Sequence, residues 1–112
     1  MDVKVIKDIE SLINWFLPIV TKFPRNYRYT LGNKIEEHLY SLLEDIIQAQ
    51  YSKKKNHFLQ KANLSVEMLR HFIRISFKQK ITSSKQYEAF AKQLNEIGSQ
   101  IGGWKKEREI NG

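Results

Sequence analysis

Apolar residues recur at spacings of three and four in four separate stretches of this chain, and no stretch alternates apolar and polar residues with the period of a strand. The first is the clearest: Val5, Ile6, Ile9, Leu12, Ile13, Phe16, Leu17 and Val20 predict an amphipathic helix over residues 3–20. A second set, Leu31, Ile35, Leu39, Leu42, Leu43, Ile46 and Ile47, predicts a helix over about 30–50. A third runs over about 56–79, and a fourth, over about 84–105, carries Tyr87, Phe90, Ala91, Leu94, Ile97, Ile101 and Trp104. With two prolines and five glycines in 112 residues, little interrupts these segments. A chain this long holds one ordinary domain. The expected fold is therefore all-α, a single antiparallel up-down four-helix bundle over residues 1–112, with short connections.

The breaks between stretches carry their own signals. Pro18 lacks an N–H and clashes with the carbonyl of Asn14, so the first helix should kink or end there. The connection is expected at "FPRNYRY", 23–29, because Pro24 biases Phe23 away from helical dihedrals. In "SKKKN", 52–56, Ser52 or Asn56 offers an N-cap for the third helix, and in "TSSKQYE", 82–88, Ser83 or Ser84 offers one for the fourth. Gly98 and Gly102 share a helix face and read as points of close packing, with Gly103 as the helix end. The final "KKEREING" reads as frayed and solvated.

Without cysteine there is no disulfide framework, thiolate metal site or cysteine nucleophile. The opening "MDVKVIKDIE" has no apolar core of signal-peptide length, and no segment reaches the roughly 18–20 apolar residues that span a bilayer. A cytoplasmic protein with no membrane contact is the expectation. The net charge of +7 favours polyanionic partners, nucleic acid first, anionic membrane second and acidic protein third.

The charge is segregated. From 53 to 80 the chain carries Lys53, Lys54, Lys55, Lys61, Arg70, Arg74, Lys78 and Lys80 against Glu67, whereas the second helix carries Glu36, Glu37, Glu44 and Asp45. Arg70, Arg74 and Lys78 are four residues apart, drifting about 40° per step, and form one stripe with His71 and Glu67 beside it. Opposite them Phe58, Ala62, Val66, Met68, Leu69, Phe72, Ile73, Ile75, Ser76 and Phe77 cover an arc of roughly 200°, more than one bundle contact uses. A subunit interface is the simplest place for the surplus. Two readings of the stripe stay open: a solvated face paired to neighbouring acids, or a phosphate-binding surface in which guanidinium forks reach one backbone.

In its order of features the chain resembles the accessory variability determinant proteins of diversity-generating retroelements. These belong to a wider set of small four-helix bundles that includes proteins encoded in ribosomal RNA intervening sequences. The resemblance runs from "LPIVTKFPR" through "MLRHFIR" to "EIGSQIGGW". It implies a non-enzymatic protein without cofactors, assembled as a ring-like homopentamer with a basic surface. Such a protein partners the element's reverse transcriptase and its RNA, with DNA as a further candidate, in mutagenic cDNA synthesis and retrohoming. The family's paired arginines fall on Arg70 and Arg74, and the arginine of its "FPR" motif on Arg25. The chain departs from more basic members at "SFKQK", so the resemblance does not extend to Lys78. An intervening-sequence-type bundle, or an adaptor that docks an acidic protein and binds nucleic acid only incidentally, is the alternative.

His38, His57 and His71 are widely spaced and match no metal motif. Glu36, Glu37, Glu44 and Asp45 loosely resemble the magnesium-binding carboxylates of all-α pyrophosphohydrolases, although paired acids on a solvated helix are common. Trp104, with Ile101, reads as a core or interface plug, and Trp15, off the main stripe, as a candidate partner contact. "FPRNYRY" interleaves Arg25 and Arg28 with Phe23, Tyr27 and Tyr29; it reads equally as a base-stacking and phosphate-holding segment or as tyrosines that pack a loop.

Overall fold

The computed structural model describes residues 3–111, and the side chains of residues 4–105. Helix α1 spans Val3–Val20. Helix α2 opens with one α turn, Arg25–Tyr27, passes through a π-helical turn, Arg28–Gly32, and continues as α-helix over Asn33–Tyr51. Helix α3 spans Lys55–Lys78 and α4 Ser84–Asn111. Among the described residues there is no strand.

Contacts between distant residues fix the topology. Phe16, late in α1, meets Phe90, early in α4, with ring centroids 5.3 Å apart. Asp8, early in α1, accepts a 2.8 Å hydrogen bond from Gln100 Nε2, late in α4. The two helices are therefore antiparallel. Phe77 at the end of α3 stacks on Tyr87 at the start of α4, at 4.8 Å, and Lys61 early in α3 reaches Asp45 late in α2, at 3.4 Å. Four antiparallel neighbours close a bundle of 46 × 22 × 20 Å.

The core follows the three-and-four spacing. Ile9, Leu12 and Phe16 of α1, Ile35, Leu39, Leu42 and Ile46 of α2, Leu59, Val66, Leu69 and Ile73 of α3, and Phe90, Leu94, Ile97 and Ile101 of α4 are all buried. Each such side chain contributes roughly 1.5–3 kcal/mol relative to exposure, and that burial, more than propensity, holds helices of this length together. Trp104 packs at the core's edge. Trp15 does too, half-buried against the chain's own core.

The breaks differ from expectation in instructive ways. α1 runs two residues past Pro18, whose missing N–H falls in the last turn, and the Pro18 carbonyl accepts from Thr21 Oγ1 at 2.8 Å. The connection is not 23–29 but the short stretch 21–24. Proline disfavours a helix in the residue before it, yet its fixed φ, here −52°, opens a helix after it, and the Pro24 carbonyl accepts from the backbone N–H groups of Tyr27 and Arg28 at 2.9 and 3.0 Å. Phe23 is buried edge-on to Phe16, at 5.9 Å, and anchors the turn. Beside it Gly32 lies so close to α1 that a Cβ there would sit 2.8 Å from Val20 Cγ2.

Neither Ser52 nor Asn56 caps α3. Ser52 Oγ accepts from the backbone N–H of Lys54 at 3.0 Å, and Asn56 is already inside the helix. Lys55 Nζ instead donates to the carbonyls of Ala49 and Gln50, at 2.9 and 3.0 Å, placing a cation at the carboxyl end of α2. Ser83, not Ser84, starts α4 through a capping box: Gln86 N–H donates to Ser83 Oγ at 3.1 Å, and Ser83 N–H donates to Gln86 Oε1 at 3.0 Å. Between α3 and α4, Lys80 adopts the left-handed φ of 61°, and Ile81 N–H reaches the Ser76 carbonyl at 2.8 Å. Gly103 does not end α4, which continues to Asn111, and among the described residues a Cβ at Gly102 or Gly103 would meet nothing within 4 Å. Of the expected packing glycines only Gly98 sits at a contact. The side chains of the "KKEREING" tail beyond Lys105 lie outside the described residues.

Candidate functional site

Arg70 and Arg74 lie one turn apart on α3 and line a groove against α4, with Ile73, Tyr87, Ala91, Leu94 and Asn95 as its other walls. Their settings differ. Arg70 lies across α4: Nη1 pairs with the carboxylate of Glu67, Nη2 donates to Asn95 Oδ1 at 3.3 Å, and its side chain is 36% exposed. Gly98 makes the room, since a Cβ there would come within 3.1 Å of Arg70 Nη2 and 3.4 Å of Val66 Cγ1. Arg74 and Lys78 are exposed, and among the described residues neither has an ion-pair partner. The stripe therefore combines one oriented guanidinium with two free cations. A surface pair such as Arg70–Glu67 is worth about 0–1 kcal/mol, so it aims the fork without tying it up.

Arg25 and Arg28 do not line this groove. They lie on the first turns of α2, exposed, at the bundle end where α1 finishes, and the Arg28 guanidinium stands 5.4 Å from the centroid of the Tyr29 ring.

On α3 the wide apolar arc is partly used within the chain. Phe58, Met68, Phe72 and Phe77 are half-buried, while Leu64, which lines a groove against α2 with Asp45 and Lys61, and Ile75, beside Arg74 and Lys78, remain exposed, at 62% and 46%.

A family model described as bAvd-like matches residues 4–108. The chain belongs to the bAvd-like family. That match bears out the resemblance to the accessory variability determinant proteins and makes this an accessory protein of that type, from a family that is non-catalytic. No curated protein matches the chain.

Beyond the groove, this bAvd-like chain scatters its titratable residues. His38 stacks on Phe72 at 5.5 Å; burial, aided by the positive field of Lys34, lowers its pKa from the ordinary 6.5. His57 and His71 are exposed. Asp8 is held below the ordinary carboxylate value, first by the Gln100 amide and then by Lys4. The acids of α2 diverge: Glu37 pairs with Lys34 at 3.4 Å, whereas Asp45 is buried at 4% exposure and meets Lys61. Among the described residues no three His, Asp or Glu side chains converge as metal ligands would, and no helix is long and apolar enough to cross a membrane.

Sequence reasoning missed Asn95 and Gly98 as the seat of Arg70, and Asp45 as a buried acid. Glu67, three residues before Arg70, was a legible signal for the pair. The Asn95 and Gly98 contacts come from α4, and spacing within α3 holds no trace of them.

Proposed function

We propose that this chain is the accessory protein of a diversity-generating retroelement, a basic homopentameric scaffold in the cytoplasm that binds the element's reverse transcriptase and its RNA, or DNA, through the Arg70, Arg74 and Lys78 stripe. The observation that carries the reading is that Arg74 and Lys78 stand exposed and, among the described residues, without ion-pair partners, beside an arginine already oriented by Glu67 and Asn95. Free cations along one helix release counterions when they meet phosphates, and a fixed fork adds bidentate geometry. Ile75, beside Arg74 and Lys78, gives a protein surface, whether the reverse transcriptase or a second copy, apolar area to cover.

Binding of a fluorescent structured RNA across a salt series tests this, with wild type beside Arg74→Ala/Lys78→Ala and Arg70→Ala/Arg74→Ala. Each lost phosphate contact should reduce the salt slope by about 1, so the first double variant should bind more weakly with a slope shallower by about 2. Sedimentation should give five times the 13.3 kDa chain mass for all three proteins. Equal affinities and slopes would remove the stripe from nucleic-acid binding, and a monomeric mass would remove the pentamer.

A further inference from the structure

The end of the bundle that holds the α1–α2 and α3–α4 connections is unlike the rest of the surface. The sequence has no Asp or Glu over residues 11–35 or 68–87, the two stretches that build this end. Lys22, Arg25, Arg28, Lys78, Lys80 and Lys85 are exposed there, and among the described residues none has an ion-pair partner. Tyr29 stands among them, 61% exposed, on the π-helical turn Arg28–Gly32, with the Arg28 guanidinium 5.4 Å from its ring centroid. The turn is held from beneath by buried Phe23 and by Gly32 against Val20, so the ring is presented on a fixed base.

We propose that this end is a stacking platform for unpaired nucleotides, distinct from the Arg70–Arg74 groove: a base stacks on Tyr29, and Arg25 and Arg28 take the flanking phosphates. The inference rests on the nucleic-acid reading above and adds to it a second site and a class of strand. An aromatic ring amid cations binds single strands because every base has a π-face, whereas the bases of a duplex are already stacked and offer only phosphates. The exposed ring makes the class single-stranded. A duplex would use the cations alone.

The test is anisotropy of a labelled single-stranded oligonucleotide and of a duplex hairpin carrying the same number of phosphates, with the full chain. Tyr29→Ala should weaken single-strand binding by about tenfold, with an unchanged salt slope, and leave hairpin binding as in wild type. Tyr29→Phe should keep wild-type affinity. Tyr51→Ala removes a ring that is more exposed, at 81%, but at the other end of α2, and should change nothing. A Tyr29→Ala protein that binds the single strand as wild type does, that loses single strand and hairpin alike, or that is matched by Tyr51→Ala overturns the platform. Arg70→Ala/Arg74→Ala separates the two readings: weakened binding there with a silent Tyr29→Ala leaves the groove standing and removes the platform, and the converse removes the groove. No binding of either oligonucleotide by wild type removes both.

Discussion

Replacing Gly32 by alanine sets two effects of known size against each other. Gly32 has ordinary helical dihedrals, φ −58° and ψ −46°, so glycine is not required there by backbone conformation. Alanine is worth about 1 kcal/mol over glycine in a helix interior. Against that, the new Cβ would sit 2.8 Å from Val20 Cγ2 and 3.4 Å from both Phe23 Cδ2 and the Tyr27 carbonyl oxygen. Val20 is buried and β-branched, with essentially one rotamer in a helix, so it cannot swing aside. The helix must move, and overpacking of this kind costs about 1–3 kcal/mol. The expected balance is a loss of about 1 kcal/mol. Gly102→Ala has the same propensity gain with nothing within 4 Å, and should gain about 1 kcal/mol. Thermal melts followed by circular dichroism should thus place the two variants about 8 °C apart, at roughly 4 °C per kcal/mol for a domain of this size. All proteins must be compared at one concentration, since self-association makes Tm depend on it. A Gly32→Ala melting point equal to or above that of Gly102→Ala would refute the close approach of α2 to α1.

Three further outcomes follow from local geometry. Lys80→Gly should stabilise by about 0.5–1 kcal/mol, because a left-handed φ of 61° strains any residue with a Cβ; a lower denaturant midpoint at unchanged m would count against this. Ser83→Ala should cost about 1 kcal/mol by opening the capping box, while Ser84→Ala should leave the midpoint unmoved, and equal effects would mean that the cap is misassigned. His38, with its lowered pKa, binds fewer protons in the folded chain than in the unfolded one, so its contribution is complete above pH 6.5 and is lost as the pH falls below that value. His38→Gln should flatten the fall in Tm on acidification from 6.5, a window distinct from that of Asp8, whose ordinary value is 3.8; an unaltered acid slope would show that His38 is not its source.

The helices and their inward faces were legible because period-3.6 spacing is local information, and Ile9, Leu39, Leu69 and Leu94 could each be placed from their own segments. The basic stripe was legible for the same reason. What the sequence hid lies where a second segment decides. Pro24 marks a break, but whether the helix lies before it or after it depends on Phe23 finding Phe16. Arg70 reads like Arg74 within α3, and only α4, through Asn95 and the gap at Gly98, sets them apart. Gly98, Gly102 and Gly103 look alike in sequence, yet one alone meets a neighbour.

The π-helical turn at Arg28–Gly32 takes up a surplus residue without turning the helix on either side of it. A π turn is an α-helix carrying one residue too many, wound more loosely, so its five residues cover about the angle that four cover in an α-helix at about 100° each. Deleting Thr30, which is exposed, would let α2 close into a regular α-helix while Asn33–Tyr51 kept its core register. Arg25 would then keep its direction and Phe23 its pocket, because the four remaining residues turn the chain as far as the five of the π turn did. The extra residue thus reshapes only the turn that carries Arg28 and Tyr29, and leaves Arg25 facing as a regular helix would aim it.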